Sequence, residues 1–249
     1  MALPRRFLLS ALCLVLACHG ARAVTQDEVV AGAAKLYRER IVELADVGML
    51  DRDPAFLARM HRIVQRLDEQ ATRDDPGRTT MAWEIHASSD ADDNASCMAG
   101  GKLLLSQPYI ERLGLNDAEL AMILSHEMQH ALLLHNLKEY EEALRLAPDW
   151  HGKPFAELED AVDNDSSLMQ KLAPLNKAQE VEADTAGMAM AWRAGWRAAH
   201  LAGYFRKLEQ ASAMSYIGSA THPSPLQRWR AARAQAALLD RRSDDAPKK

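Results

Sequence analysis

His126 and His130 stand four residues apart in Ser125-His126-Glu127-Met128-Gln129-His130, with Glu127 directly after the first. On an α-helix, positions i and i+4 lie one above the other on a single face, so both imidazoles reach toward one point. Neutral imidazoles are good zinc ligands. Glu127 is rotated about 100° around the helix axis. There it approaches a water beside the metal without being a ligand, the arrangement for hydrolysis with a carboxylate base. A catalytic zinc needs a third protein ligand and an open fourth position. Gln179-Glu180-Val181-Glu182-Ala183-Asp184 offers one, again in a helical pattern. Glu180 and Asp184 share a face, and Glu182 points elsewhere. Glu180 is expected to complete a His126, His130, Glu180 ligand set for one zinc per chain. Asp184 is then expected to orient a ligand histidine through its other ring nitrogen. The bland reading of these acids is a solvated helix face with i,i+4 pairs; their place downstream of the two-histidine segment speaks against it.

The elements that must position these residues are mostly helical. Asn116 and Glu119 form a capping box ahead of Leu120, Met122, Ile123 and Leu124, so the histidines fall inside a buried helix. Helical periodicity continues to about Leu146. Further helices are predicted over Thr25–Ala45, from the Asp53-Pro54 start to beyond Leu67, over Glu157–Leu172 with Pro174 ending it, and over Lys177–Ala194, Trp196–Ala213 and Ser224–Leu239. Thr79–Ala87 and Lys102–Ser106 read as strands, with a polar loop from Ser88 to Ala95. The segment from Trp150 to Pro174 lies between the two expected zinc helices, as a lid over a cleft or as a packed connector. The expected fold is α+β, predominantly helical, with one small β-sheet.

Composition agrees with a single domain. The chain has 249 residues, 48% of them hydrophobic, 26% charged and 6% aromatic, a globular balance. A formal net charge of −5 lacks the basic excess of a nucleic-acid binder. Beyond the first two dozen residues no apolar run reaches the length of a membrane span, which excludes a polytopic membrane protein. Residues Met1–Ala23 read as a signal peptide: Arg5 and Arg6, an apolar stretch from Phe7 to Ala17, and an Ala21-Arg22-Ala23 cleavage site. The alternative is a lipoprotein leader with Cys18 lipidated, its box imperfect, and an uncleaved anchor is the third reading. Cleavage after Ala23 removes three arginines and no acid, and leaves Cys97 as the one cysteine, so no internal disulfide is possible. The expected organisation is residues 1–23 as signal, 24–240 as one domain and 241–249 as a disordered tail. A bacterial periplasm is the expected location, with an envelope lipoprotein as the alternative.

These segments together resemble a known family, the gluzincin metallopeptidases of the HtpX, BepA and CaaX prenyl-protease type. The resemblance rests on Trp83-Glu84-Ile85-His86, Asn94-Ala95, Gly100-Gly101 and Lys102-Leu103-Leu104-Leu105 ahead of the zinc helix. After it come His135, the Glu180–Asp184 segment with Gly187, and His222-Pro223 with Arg228. It spans about Thr79 to Arg233. Ala95-Ser96-Cys97-Met98-Ala99 departs from the family in lacking the aromatic and proline common there. The membrane helices of some branches and a C-terminal helical-repeat domain are also absent, so the chain looks like a minimal soluble, exported member.

The resemblance implies a zincin-like metalloprotease domain and a zinc metalloendopeptidase acting on polypeptides, in the family's case misfolded or misassembled envelope proteins. Glu127 would take the proton of the attacking water and pass it to the leaving amine. By analogy His222 and Arg228 are candidates for donors to the developing oxyanion. Each has other readings: capping the resting zinc, binding substrate backbone, a turn before Pro223 for His222, or a structural ion pair for Arg228. Strand Lys102–Ser106 is either an edge that takes up a substrate segment as an extra strand or an ordinary edge strand. Cys97 reads as a small packed residue, with zinc capture as the alternative. The competing function is a non-catalytic periplasmic chaperone or assembly factor using the same cleft. Retention of Glu127 argues against it, because binding alone has no need of a base.

Overall fold

Local sequence decides where the helices begin. In the computed structural model, which describes residues 23–78, 80–219 and 221–244, helix α1 (Gln26–Asp46) starts at a capping box between Thr25 and Glu28. Helix α2 (Pro54–Asp74) starts where the Asp53 carboxylate accepts from the Ala55 and Phe56 amides. Its apolar stripe, Phe56, Met60, Ile63, Val64 and Leu67, is buried. The expected leader apart from Ala23, the residue Thr79 and the last five residues lie outside the described part. Among the described residues no helix is long and apolar enough to cross a membrane.

Three strands follow: β1 (Glu84–Ser88), β2 (Ala95–Met98) and β3 (Lys102–Ser106), in the order β1-β3-β2. β1 and β3 are parallel, with Glu84 opposite Lys102, and β2 and β3 are antiparallel, with Ala95 opposite Leu105. β3 is therefore central, and the expectation that it forms an edge is corrected: both its sides are paired, and the edge strands are β1 and β2. The first strand is also shorter than expected, starting at Glu84. Leu103, Leu104 and Leu105 are all buried, as a central strand covered on both faces requires. Leu104 packs with Tyr37 and Leu44 of α1, and Leu103 and Leu105 join the main core. The acids of the Ser88–Ala95 loop are engaged: Asp90 and Asp93 both grip Arg40.

The remaining elements are α3 (Gln107–Arg112), α4 (Asp117–Leu132), α5 (His135–Leu146), α6 (Phe155–Asn164), α7 (Ser166–Arg193), α8 (Ala198–Leu201), α9 (Gly203–Ala211) and α10 (Pro225–Asp244). Several differ from the sequence reading. The helix expected from Asn116 to Leu146 is two, because Leu134 adopts a left-handed conformation at φ 56°. That costs a non-glycine residue about 1–2 kcal/mol, and it turns His135 back toward α4. Pro174 does not end a helix. It sits inside α7, which starts at an Asp165 cap and is anchored on both sides of the proline by buried Leu168, Leu172 and Ala183. The stretch from Trp196 to Ala213 is divided between α8 and α9. At the C-terminal end α10 continues to Asp244, past the expected boundary at Arg241.

Besides the small Tyr37, Leu44 and Leu104 group, two larger buried clusters organise the described residues. The main core joins α2, the sheet, α4, the C-terminal part of α7 and α8–α10. A second joins α1, α5, α6 and the N-terminal part of α7 through Val29, Tyr140, Leu158, Leu168 and Leu172. The Trp150–Pro174 segment contributes to this second core, and none of its residues lines the cleft beside Glu127, so it is a packed connector.

Candidate metal centre

Helix α4 is buried nearly all round, and its capping box holds as expected: Asn116 accepts from Ala118 and Glu119, and the Glu119 carboxylate returns to the Asn116 amide. Lys207 on α9 bonds the same carboxylate, tying the start of α4 to the rest of the core. Ligand placement depends on a second helix lying very close. On α7, Glu180, Ala183 and Gly187 face α4 and are buried. A Cβ at Gly187 would stand 2.9 Å from the His126 amide nitrogen and 3.0 Å from the Ser125 carbonyl carbon. Only glycine permits that approach.

The approach brings the three expected ligands together. His126 Nε2 and His130 Nε2 are 3.2 Å apart. Glu180 Oε2 is 3.5 Å from His126 Nε2, and Oε1 is 3.3 Å from His130 Nε2. Tetrahedral zinc with bonds of about 2.0–2.1 Å sets its ligand atoms about 3.3 Å apart, so these separations are close to the edges of such a tetrahedron. Glu180 Oε2 is also buried without a hydrogen-bond donor, a costly state for a carboxylate oxygen unless a cation supplies the missing partner. The donor set, two imidazoles and a carboxylate, suits zinc. Among the described residues, this is the group of histidine, cysteine and acidic side chains that could hold a metal ion. Cys97 takes no part: it is packed in the main core, and burial pushes its thiol well above its ordinary pKa.

Charge around the triad is set by outer partners. His126 Nδ1 stands 2.8 Å from Asp184 Oδ1, though without the alignment of a formed hydrogen bond. Asp184 is held in turn by Arg228, whose Nε donates to Oδ2 at 2.8 Å and whose Nη2 donates to Oδ1 at 2.7 Å. Burial opposes ionisation of Asp184, but Arg228 and His126 outweigh it and hold the carboxyl down at about 2. Glu180 is likewise held at about 2, burial being outweighed by the His130 hydrogen bond and the charges of His126 and His222. Glu127 behaves oppositely. Burial raises its pKa, and the attraction of His126 and His130 offsets only part of the shift. Its Oε1 lies 4.0 Å from His126 Nε2, beside the triad rather than within it.

His222 and Arg228 both reach the site. His222 sits in the loop between α9 and α10, its Nε2 3.2 Å from Glu180 Oε2 and its Nδ1 2.7 Å from Thr221 Oγ1. The following turn is fixed by a reciprocal cap between Ser224 and Gln227. Arg228 Nη2 lies 3.9 Å from Glu180 Oε2, while its bidentate grip is on Asp184. His222 is about half exposed, whereas Arg228 is buried. His222 is therefore free to meet a substrate, and Arg228 is anchored behind the metal position.

Sequence reasoning gave no role to two further residues. His135, buried at the start of α5, places Nδ1 3.1 Å from His130 Nδ1 and Nε2 3.3 Å from Glu182 Oε2. Gln179 donates to the His135 carbonyl at 3.1 Å. Each metal-facing histidine thus has a partner behind it, Asp184 for His126 and the His135–Glu182 pair for His130. The left-handed Leu134 that creates the second arrangement has no local signal in the sequence. A repeated acid at a spacing of two in Glu180-x-Glu182 was the available hint.

Comparison with known proteins agrees with this geometry. The family model described as "Peptidase family M48" matches residues 54–236. The beta-barrel assembly-enhancing protease of Yersinia pestis is 28% identical over 159 residues, which is 57% of this chain and 32% of that protein. The mitochondrial metalloendopeptidase OMA1 of Arabidopsis thaliana is 27% identical over 116 residues, 47% of this chain and 24% of that protein. The chain thus matches about a third of the first relative's length and about a quarter of the second's.

Proposed function

This chain belongs to peptidase family M48, and from that premise we propose that it is a zinc metallopeptidase that cuts internal peptide bonds of misfolded or misassembled envelope proteins, with Glu127 as the base for the attacking water. The observation that carries the reading is the His126, His130, Glu180 triad at tetrahedral spacing with Glu127 alongside and a cleft in front. Zinc, when bound, supplies Lewis acidity toward water and the scissile carbonyl. His126, His130 and Glu180 would hold it. Glu127 takes the water proton and delivers it to the departing amine nitrogen. His222, on the exposed rim, donates from Nε2 to the substrate oxygen that gains charge. Arg228 fixes Asp184 and through it the ring of His126.

The envelope assignment is supported by the Met1–Ala23 signal pattern and by a relative named for enhancing β-barrel assembly. The periplasm is the proposed location, with Cys18 as a lipid anchor in the alternative form. The test is metal content and casein cleavage of the protein beside Glu127→Gln. One zinc in both, with cleavage reduced about 10²–10⁴-fold in the variant, is the expected result. Zinc in both with equal handling of unfolded protein and no cleavage in either would favour a binding role over a peptidase. No zinc in either would remove the ligand assignment.

A further inference from the structure

A cavity of about 650 Å³ lies where the C-terminal parts of α2, α7 and α10 meet. It shares no lining residue with the cleft beside Glu127. Trp192 in its wall stands well beyond Glu180 on α7, about 18 Å along the helix axis. The volume falls within the roughly 300–1,000 Å³ range of ligand-holding clefts. Three arginines line it: Arg73 from α2, Arg193 at the end of α7 and Arg197 just after it. One acid, Asp240 of α10, stands against them. The whole chain carries a formal net charge of −5, so this cavity runs counter to the charge of the molecule that holds it. A recess walled by one sign of charge focuses its field on a ligand of the other sign.

The guanidinium groups are braced from behind and keep donors in reserve. Arg73 Nε and Nη2 both donate to Oε1 of the buried Gln70, at 3.1 and 2.9 Å. Gln70 Nε2 in turn donates to Asp74 Oδ1 at 2.8 Å, and Arg193 clamps the same carboxylate through Nε and Nη2. Asp74 therefore neutralises Arg193, while Arg73 is held by an uncharged partner and keeps its charge. Arg197 is exposed and has no side-chain hydrogen bond or ion pair among the described residues. A fourth arginine, Arg66, lies against two lining residues. Its Nε donates to the Ala194 carbonyl at 2.6 Å, at the end of α7 where a cation is favoured. Its Cζ is 4.2 Å from the centre of the Trp196 ring. Gly195, at φ 99°, makes room for it: a Cβ there would overlap Arg66 Nη2. Trp192 and Trp196, two of the chain's five tryptophans, complete the wall and offer flat apolar area to the organic part of a ligand.

We propose that this cavity binds a phosphate monoester, with the phosphate among the arginines and the esterified group against the tryptophans. Arg66, Arg73 and Arg197 each bring a charge that no acid cancels and N–H groups that no acceptor takes. A planar guanidinium grips two phosphate oxygens at once. A monoester presents three strong acceptor oxygens, so it engages more than one guanidinium, whereas a carboxylate is spent on a single fork. Asp240 opposes a polyanion and sets the site toward one phosphate group. The source of that group is a soluble ester or the headgroup of a lipid, and the chemistry is the same for both. The site stands apart from the metal and does not depend on the peptidase reading.

The experiment titrates the protein with glycerol 3-phosphate, followed by calorimetry and by tryptophan fluorescence. Saturable binding is expected, with acetate at least about tenfold weaker. Arg197→Gln should weaken the phosphate ester by about tenfold or more. Asp240→Asn, which removes the opposing acid, should tighten it severalfold. Arg38→Gln takes an exposed arginine from α1, which contributes nothing to the cavity, and should leave the affinity unchanged. A second arm sediments the protein with phosphatidic acid vesicles and with phosphatidylcholine vesicles. Capture by the first and not the second, lost in Arg197→Gln, upholds the site and makes the ligand a lipid headgroup. Binding of glycerol 3-phosphate without capture upholds it and makes the ligand a soluble ester. No saturable binding together with no Arg197-dependent capture overturns the proposal. So does a loss in Arg38→Gln as large as in Arg197→Gln, which would mean diffuse surface charge only.

Discussion

Gly187 meets His126 with no room for a methyl group: a side chain there would press on the His126 backbone at 2.9 Å. The obstructing atoms are backbone within a buried helix, so relief requires α4 and α7 to separate. Gly187→Ala is therefore expected to destabilise the fold by about 1–3 kcal/mol and to weaken zinc binding, since Glu180 on α7 would retreat from the histidines. Chemical denaturation and competitive zinc titration measure the two effects. Unchanged zinc affinity would show that α7 adjusts without moving Glu180.

Removing the third ligand should separate metal binding from folding. Glu180→Ala is expected to abolish the rise in melting temperature that added zinc gives the unsubstituted protein, because a ligand stabilises only the state that binds it. Glu127→Gln should keep that rise in full. Differential scanning fluorimetry with and without zinc distinguishes the two variants.

Arg228 and Asp184 form a buried pair in which each member depends on the other. Arg228→Ala leaves the carboxylate buried with only the His126 ring beside it, a loss of about 3–5 kcal/mol, read from urea midpoints. Arg228→Lys keeps the charge but not the two parallel bonds. It should fold and bind zinc roughly 10–100-fold more weakly. Equal zinc affinity in the lysine variant would count against orientation of His126 through Asp184.

The depressed carboxyls set an acid limb in stability. Glu180 and Asp184 lie at about 2 in the fold, against ordinary values of 4.5 and 3.8. A lowered folded-state pKa contributes stability that is present above the unfolded value and lost as pH falls through the folded one. For the zinc-free protein the urea midpoint should begin to fall below about pH 6.5, where protonation of the unfolded chain at His135 opposes the fold that holds that residue at about 4, and fall further between about 4.5 and 2 as Glu180 and Asp184 protonate. Asp184→Asn should flatten that fall. A midpoint unaffected by acid across this window would contradict the charge arrangement around the triad.

How much could be read before the structure depends on whether geometry was local. The His126/His130 spacing, the Asn116–Glu119 cap and the Glu180/Asp184 spacing follow from helical repeat alone, and each appears in place. Strand β2 was hidden because Ala-Ser-Cys-Met has little strand preference, and pairing with β3 decides its conformation. The break at Leu134 carries no glycine or proline to announce it. Pro174 announced a break that does not occur, because the buried leucines on the first turns of α7 outweigh the lost hydrogen bond. The His135–Glu182 contact joins residues of different helices and depends on both departures.

Helix α7 is seated in both cores. Leu168 and Leu172 lie in one, Met188, Met190 and Ala191 lie in the other, and Glu180 is between them. The helix behaves as a beam clamped at its two ends with a metal ligand at mid-span. A shift of either clamp bends or slides the beam, and the carboxylate moves with it. The ligand set thus works as a gauge of whether the two halves of the molecule are in register. A chain with one half misassembled would carry the complete ligand sequence and yet hold the carboxylate of Glu180 away from His126 and His130.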